Sequence, residues 1–318
     1  LKNAFSGTAG SIKIKSTEHY NDLGYDGSTI TGVTVAARNP GSWANNLKVA
    51  IIDDLADQVL TFSALPAGIQ VGFGITQSIP ANTVIAGSGS TSLLTGYFKG
   101  IVTQVDTTNK KVSVKVLESV DTSGSAAGVS TEVSYQPNGI YKFGNTAVTV
   151  HNNSGTITGT GSPTGNADWF DQQSIQLTNT TINWNNIADR PGTSSFAEAR
   201  NSRFDEVHVV VIDDTGEVTG NAGTILEKHL ALSKAKDGLY SLGSPSYWRK
   251  YIYNNSQNIF GGGAPAGIVT TSLGIGTANF AQFGDGGWDQ NAQGIRFSGI
   301  GVTTLTLGGG KNYDGGTD

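Results

Sequence analysis

Two short apolar runs end in the same way: Leu47–Ile52 leads into Asp53-Asp54, and Val207–Ile212 leads into Asp213-Asp214. A strand that delivers paired carboxylates can hold a magnesium ion for nucleotide hydrolysis, but that chemistry also needs a glycine-rich loop whose amides and lysine cradle the phosphates. No G-x-x-x-x-G-K-[ST] occurs. Gly308-Gly309-Gly310-Lys311 comes nearest, and Asn312 stands where a metal-binding hydroxyl is required. Strand-end aspartates also cap turns by accepting backbone N–H bonds, and this is the reading adopted for all four.

Other chemistries fare no better. There is no G-x-S-x-G nucleophile elbow, and the four histidines (His19, His151, His208, His229) include no i, i+4 pair for a helical zinc site. His208 falls inside an apolar run and His229 inside a segment read as helix, where structural roles are expected. The absence of cysteine removes thiolate ligands, thiol nucleophiles and disulfides together. Gly284–Asp289 and Asn312–Asp318 carry oxygen ligands that could meet a calcium ion, but neither has EF-hand spacing, so both are read as turns. Trp43, Trp169, Trp184, Trp248 and Trp288 could form a sugar-binding platform; scattered along the chain, they read more simply as core and interface anchors. No catalytic, metal or cofactor site is therefore expected, and the chain is not read as an enzyme.

Bulk properties narrow the partners. The 318 residues carry a formal net charge of −5 with only 14% charged side chains, which disfavours a phosphate-binding surface built on clustered Lys and Arg. Lys13/Lys15 and Lys110/Lys111/Lys115 lie in alternating runs and read as solvated strand faces. No apolar stretch approaches the roughly 18 residues of a membrane span. Position 1 is Leu and Met is absent, so the numbering is expected to begin inside a longer chain.

The elements that must position these residues are mostly strands. With 44 Gly against 8 Pro, turn-rich β structure is favoured over polyproline linkers. Residues 1–53 hold alternating runs at Ser11–Lys15 and Thr31–Val35, a turn-rich loop from Arg38 to Asn46, and a buried strand over Leu47–Asp54. Residues 54–135 read as an inserted β-rich domain, barrel- or sandwich-like. Its strands are Gly68–Ile75, Thr83–Ile85 and a hairpin of Tyr97–Val105 and Lys111–Leu117 around Asp106–Lys110, with Asp121–Ser130 as the exit linker. In 136–318, Asn152–Asn166 reads as an exposed low-complexity loop. Ser195 and Glu198 have capping-box spacing for a short helix near Ala197–Ser202. Val207–Asp214 is a second buried strand. Thr224 and Glu227 form another capping box, opening a helix with Ile225, Leu226, Leu230 and Leu232 on its buried side and Gly238 at its stop. A further helix spans Ser246–Asn254, and Thr303–Leu307 is a terminal strand. The fold class expected is α+β: an α/β core from 1–53 and 136–318, with the β-rich domain inserted.

Three segments, taken in order, carry a resemblance. Ala37-Arg38-Asn39-Pro40-Gly41-Ser42-Trp43-Ala44-Asn45-Asn46-Leu47-Lys48-Val49 resembles a P-G-x-W/Y-G-N-x-L motif that enters a strand in the tail sheath proteins of contractile-tailed bacteriophages. Arg190-Pro191-Gly192-Thr193-Ser194, with Asp205–Asp213 and Gly223–Lys228, is similar to the central region of that family. Leu307-Gly308-Gly309-Gly310-Lys311-Asn312-Tyr313-Asp314 is similar to the L-x-G-G-x-D ending that precedes its C-terminal domain. The stretches 55–135 and 136–185 do not match residue by residue.

The resemblance implies a structural subunit of the virion. Copies would stack as six-fold rings wound around a tail tube, joined to a baseplate, and contract collectively from an extended to a compact lattice. It implies no catalytic centre, no cofactor, no direct nucleic-acid partner and no membrane insertion. It also implies terminal arms that join neighbours and lie outside these residues, so 1–318 alone is expected to be monomeric. Arg38, Asn39, Pro40, Gly41, Trp43, Asn45, Asn46, Arg190, Pro191, Gly192, Thr193, Gly308, Gly309 and Asp314 are the motif positions, with structural roles expected. The alternatives are a secreted or surface glycan-binding adhesin domain, which needs a tryptophan-lined groove, and a glycoside hydrolase, which needs two carboxylates roughly 5–10 Å apart across a groove.

Overall fold

The structure is a computed structural model that describes residues 1–83, 94–121, 131–132, 143–152, 154–265, 284 and 286–313. Residues 122–130 of the expected linker, Ile85 and its preceding residue, Asp285, and 314–318 with Asp314 lie outside these. In chain order the first elements are β1 (Phe5–Gly7), α1 (Thr17–Asp22), β2 (Val33–Ala37) and β3 (Leu47–Asp53). There follow β4 (Gln58–Phe62), β5 (Gly74–Thr83), β6 (Leu94–Asp106), β7 (Lys111–Asp121), β8 (Thr131–Glu132), β9 (Val148–His151), β10 (Ile157–Gly161) and β11 (Pro163–Asp168). The remainder are β12 (Ser174–Gln176), β13 (Thr181–Asn183), α2 (Ser195–Glu198), β14 (Glu206–Asp213), β15 (Thr224–Ser233), α3 (Trp248–Asn255), β16 (Ile259–Gly261) and β17 (Val302–Thr306). Strand makes up 39% and helix 11%, so the chain is mostly β.

The chain divides into two compact units: Leu1–Asp54 with Ser174–Thr270 and Gly286–Asp318, and Leu55–Gln173 with Thr271–Asp285. The first is built on an antiparallel sheet in the order β15-β14-β3-β17. β3 and β14 are the two Ile-Asp-Asp runs, and their β-branched side chains are buried on both faces, which explains their unbroken apolar character. On one side Val49, Ile51, Val209 and Val211 join Trp248 and Ile252 of α3 and Trp288 in the main core. Trp248 and Ile252 are one helical turn apart, which puts both on the buried stripe of that short helix. A second sheet, β1-β2-β16, covers a smaller core of Ile12, Ile14, Tyr20, Ile30 and Phe260, with the Tyr20 and Phe260 rings stacked at 4.3 Å. Ser11–Lys15 forms no named strand. Instead the Asn3 carboxamide bonds both N–H and C=O of Ile14, taking the place of a strand partner.

The expected helix over Thr224–Gly238 is the largest correction. This segment is β15, paired antiparallel with β14 from Glu206↔Ser233 to Asp213↔Thr224. Its helical signals are absorbed by tertiary partners: the Thr224 hydroxyl donates to Asn221 O, and the Glu227 carboxylate caps the loop after α3. Two register shifts and a left-handed Ala231 (φ 51°) bend the strand, which blurs its period-2 pattern. With β15 a strand, the expected strand-turn-helix becomes an antiparallel hairpin, and the α/β core becomes a β core with three short helices among the described residues. α2 also starts one residue early, because Ser194 and not Ser195 caps it, accepting from Ala197 N.

The second unit is one curled sheet in the order β10-β9-β5-β6-β7-β4-β11, with β8 beside β7. The predicted hairpin is present in register, Asp106 opposite Lys111, and its turn is held by Asp106 accepting from the N–H groups of Thr108 and Asn109. Gly68–Phe73 is a turn, and the strand begins at Gly74. The unit runs on beyond residue 135, because β9, β10 and β11 belong to its sheet. The low-complexity stretch Asn152–Asn166, expected as a loop, supplies both outer strands: β10 and β11 are separated only by Ser162, yet one pairs with β9 and the other with β4. Bulges at Ile157/Gly159 and Pro163/Gly165 make this bend. Gly159 is required there, since a Cβ would lie 2.5 Å from Ala67 O. Leu60, Phe62, Ile75, Val102, Val112, Val114, Phe143 and Val148 fill the inside.

Candidate functional site

Three of the four strand-end carboxylates, Asp53, Asp213 and Asp214, hold loops through hydrogen bonds. Asp53 is paired with Lys234 at 2.9 Å, both 0% exposed, and accepts the N–H groups of Ile300 and Gly301. Asp54 faces Arg190 at 3.7 Å. Asp213 accepts from Gly216 N, Val218 N, Thr219 N and the Thr219 hydroxyl. Burial works to raise its pKa, but these bonds, led by Thr219, hold it below the usual carboxylate range. Asp214 behaves alike: against burial, Thr178 and Lys48, 2.9 Å away, keep it low. No group of three or more His, Cys, Asp or Glu suited to a metal ion occurs among the described residues.

The first and third family-like segments, far apart in sequence, meet. Asn45 Nδ2 donates to Gly310 O at 3.1 Å while Gly310 N donates to Asn45 Oδ1 at 2.8 Å, so one carboxamide reads both backbone groups of a glycine. Asn312 does the same for Ser42, accepting its N–H and donating to its hydroxyl. Asn46 N donates to Leu307 O. Gly310 cannot carry a side chain, because a Cβ would sit 2.2 Å from Gly41 O. The N-terminal segment completes this clasp: Lys2 pairs antiparallel with Lys311, Phe5 with Gly308, and Gly41 N donates to Lys2 O.

Around the clasp, Arg38 donates to Tyr253 O and Ser256 O and lies 4.6 Å from the centre of the Phe260 ring, a cation-π contact. Trp43 Nε1 donates to Asn39 O. Gly309 is left-handed at φ 77°. Pro40 lies in the bend before Gly41.

The central motif is built against the start of β14. Gly192 exchanges backbone and side-chain bonds with Glu206, whose pKa burial pushes up and the Gly192 N–H works to lower. Thr193 Oγ1 accepts Phe204 N, and Ser194 bonds Asp205 through both N–H and hydroxyl. Pro191 is buried.

Glu227, read from the sequence as half of a helix capping box, instead accepts from His229 at 2.8 Å, the Ser256 hydroxyl at 2.6 Å, Gln257 N and Asn258. Burial opposes its ionisation, yet His229, Ser256 and Gln257 bring its pKa down to about 2. Four of the five tryptophans are buried, Trp169 at 1%, Trp184 and Trp248 at 0% and Trp288 at 7%, and Trp43 is half-buried. Also unforeseen is a cleft of about 380 Å³ in the second unit, bordered by Gln104, Asp106, Lys111, Trp169, Gln172 and Gln173. A tandem Gln172-Gln173 three residues after a tryptophan is its only trace in the sequence. No described helix is long and apolar enough to cross a membrane. Compared with known proteins, the chain matches no family model, no curated protein and no solved structure.

Proposed function

We propose that the chain is the body of a contractile-tail sheath subunit, a structural protein of the virion and not an enzyme. It would stack with copies of itself in six-fold rings around a tail tube, joined to a baseplate, and contract by rigid-body rearrangement of the lattice. The clasp carries this reading. Segments resembling the family's first and last motifs, with partners 270 positions apart, close on each other and on the N-terminal segment. Lys2 and Lys311 lie side by side in this clasp, which suits a subunit tied to neighbours by two arms.

The burial of Trp184, Trp248 and Trp288 supports a scaffold over an adhesin with an aromatic platform, and Trp169, which borders the cleft, is only 1% exposed there. The hydrolase reading lacks support, since Asp106 is the one carboxylate bordering the cleft. The test is negative-stain electron microscopy of the full natural reading frame at high concentration, beside the light-scattering mass of 1–318. Tubes with six-fold helical order from the former and a monomer from the latter are expected. Dispersed monomers from the full reading frame, or a hexamer from 1–318, would overturn the proposal.

A further inference from the structure

We infer that the cleft of the second unit binds a short neutral saccharide. It is lined by Val59 of β4, Gln104 and Val105 of β6, Ser113 of β7 and the side chains of Asp106, Lys111, Trp169, Gln172 and Gln173. At about 380 Å³ it lies at the small end of ligand pockets, matched to one or two sugar rings.

Two of the three carboxamides are held before any ligand arrives. Gln104 Oε1 accepts from Ser113 Oγ at 3.2 Å and from Trp169 Nε1 at 3.4 Å, so its orientation is set and its NH₂ remains as a donor. Gln173 Nε2 donates to Trp169 O at 2.7 Å, which leaves its Oε1 as an acceptor. The Gln172 amide has no hydrogen-bond partner among the described residues and supplies one of each. Gln104 held by its oxygen and Gln173 held by its nitrogen leave opposite ends free, and with Gln172 they form a mixed donor and acceptor set of the kind that vicinal hydroxyls satisfy. Held side chains lose less entropy on binding.

Charge selects against other ligand classes. Asp106 and Lys111 contribute one charge of each sign, so a phosphate or carboxylate ligand would meet repulsion from Asp106 as well as attraction to Lys111. The Asp106 carboxylate is kept below the ordinary range by Asn109, so that opposition persists to acidic pH. A wholly apolar ligand would strand the three carboxamides without partners. A sugar ring suits both halves of the lining, its C–H face toward Val59, Val105 and the rim of Trp169 and its hydroxyls toward the amides.

This inference stands apart from the sheath reading and fails separately from it. Isothermal titration of the whole chain with maltose, lactose, cellobiose and N,N′-diacetylchitobiose, each up to millimolar excess, tests it. At least one is expected to bind. Gln104→Ala and Gln172→Ala are each expected to weaken that binding about tenfold or more, while glucose 6-phosphate gains nothing over glucose. Gln172 is exposed, so its variant keeps the fold and isolates the contact; unchanged thermal unfolding checks this. No heat with any of the four sugars, or binding that both variants leave unchanged, would overturn the assignment.

Discussion

The two units solve the same problem of ordering long loops by different means. In the first, loops are gathered by buried charge: Asp53 with Lys234, Asp205 with Ser194 and Ser233, Asp213 with its own turn, and Glu227 with the loop after α3. In the second, a single sheet bends round an apolar filling of Phe62, Ile75, Val102, Val114 and Phe143 beside one buried pair, Asp57–Lys115 at 3.2 Å, and most of the unit's described residues are in the ladder itself. A network of carboxylates fixes loops far apart in sequence but depends on every partner and on pH. An apolar barrel interior tolerates charge changes and is sensitive to volume.

The sharpest way to break this contrast is Lys234→Ala. Asp53 would remain buried with two backbone donors and no cation, a loss of about 3–5 kcal/mol. Hydrogen exchange read by mass spectrometry should show it as faster opening of β3 and β14, with β6 and β7 unaffected; equal loss in both units would dissolve the distinction. The converse is Gly100→Ala, whose Cβ would meet Val114 Cγ1 at 2.6 Å and Lys115 O at 2.8 Å. Overpacking of this kind costs about 1–3 kcal/mol. Exchange should then accelerate in β6 and β7 and leave β14 unchanged.

Acid gives the smallest and most graded effect. Burial pushes the His208 pKa down from 6.5; its Nε2 bonds Asp189 O while Nδ1 accepts Ala231 N, an arrangement that requires the neutral ring. The unfolded chain therefore binds more protons, and first-unit stability should fall as pH drops below 6.5 toward the folded value. Glu227 has the same sign lower down, its contribution being lost between pH 4.5 and about 2. His151 of the second unit is also lowered by burial, so a His151→Gln background assigns the upper step. A urea midpoint for the first unit that stays flat from pH 7 to 5 in that background would refute the His208 role.

How far the sequence discloses this depends on where the information lies. β3 and β14 are legible because consecutive β-branched residues are buried on both faces, and the β6–β7 hairpin because Asp106–Lys110 has turn chemistry between alternating runs. β15 is illegible because Leu226, Leu230 and Glu227 favour helix locally, and only the ladder against β14 decides otherwise. β10 and β11 hide in a Gly- and Thr-rich stretch: β10 closes a hairpin with β9 that lacks an apolar alternation, and β11 pairs far back in the chain with β4. The motif residues around Asn45 and Gly310 stand out singly, but nothing in their spacing says that they meet; the carboxamide bonds across 265 positions do.

The bend at Ser162 carries one continuous backbone to both ends of the second unit's sheet. β10 pairs with β9 and β11 with β4, and among the described residues neither has a strand on its outer side, so the sheet is curled but open. Each of these outer strands carries a bulge, at Ile157/Gly159 and at Pro163/Gly165, and Pro163 lacks a donor N–H, devices that blunt an open edge against foreign strands.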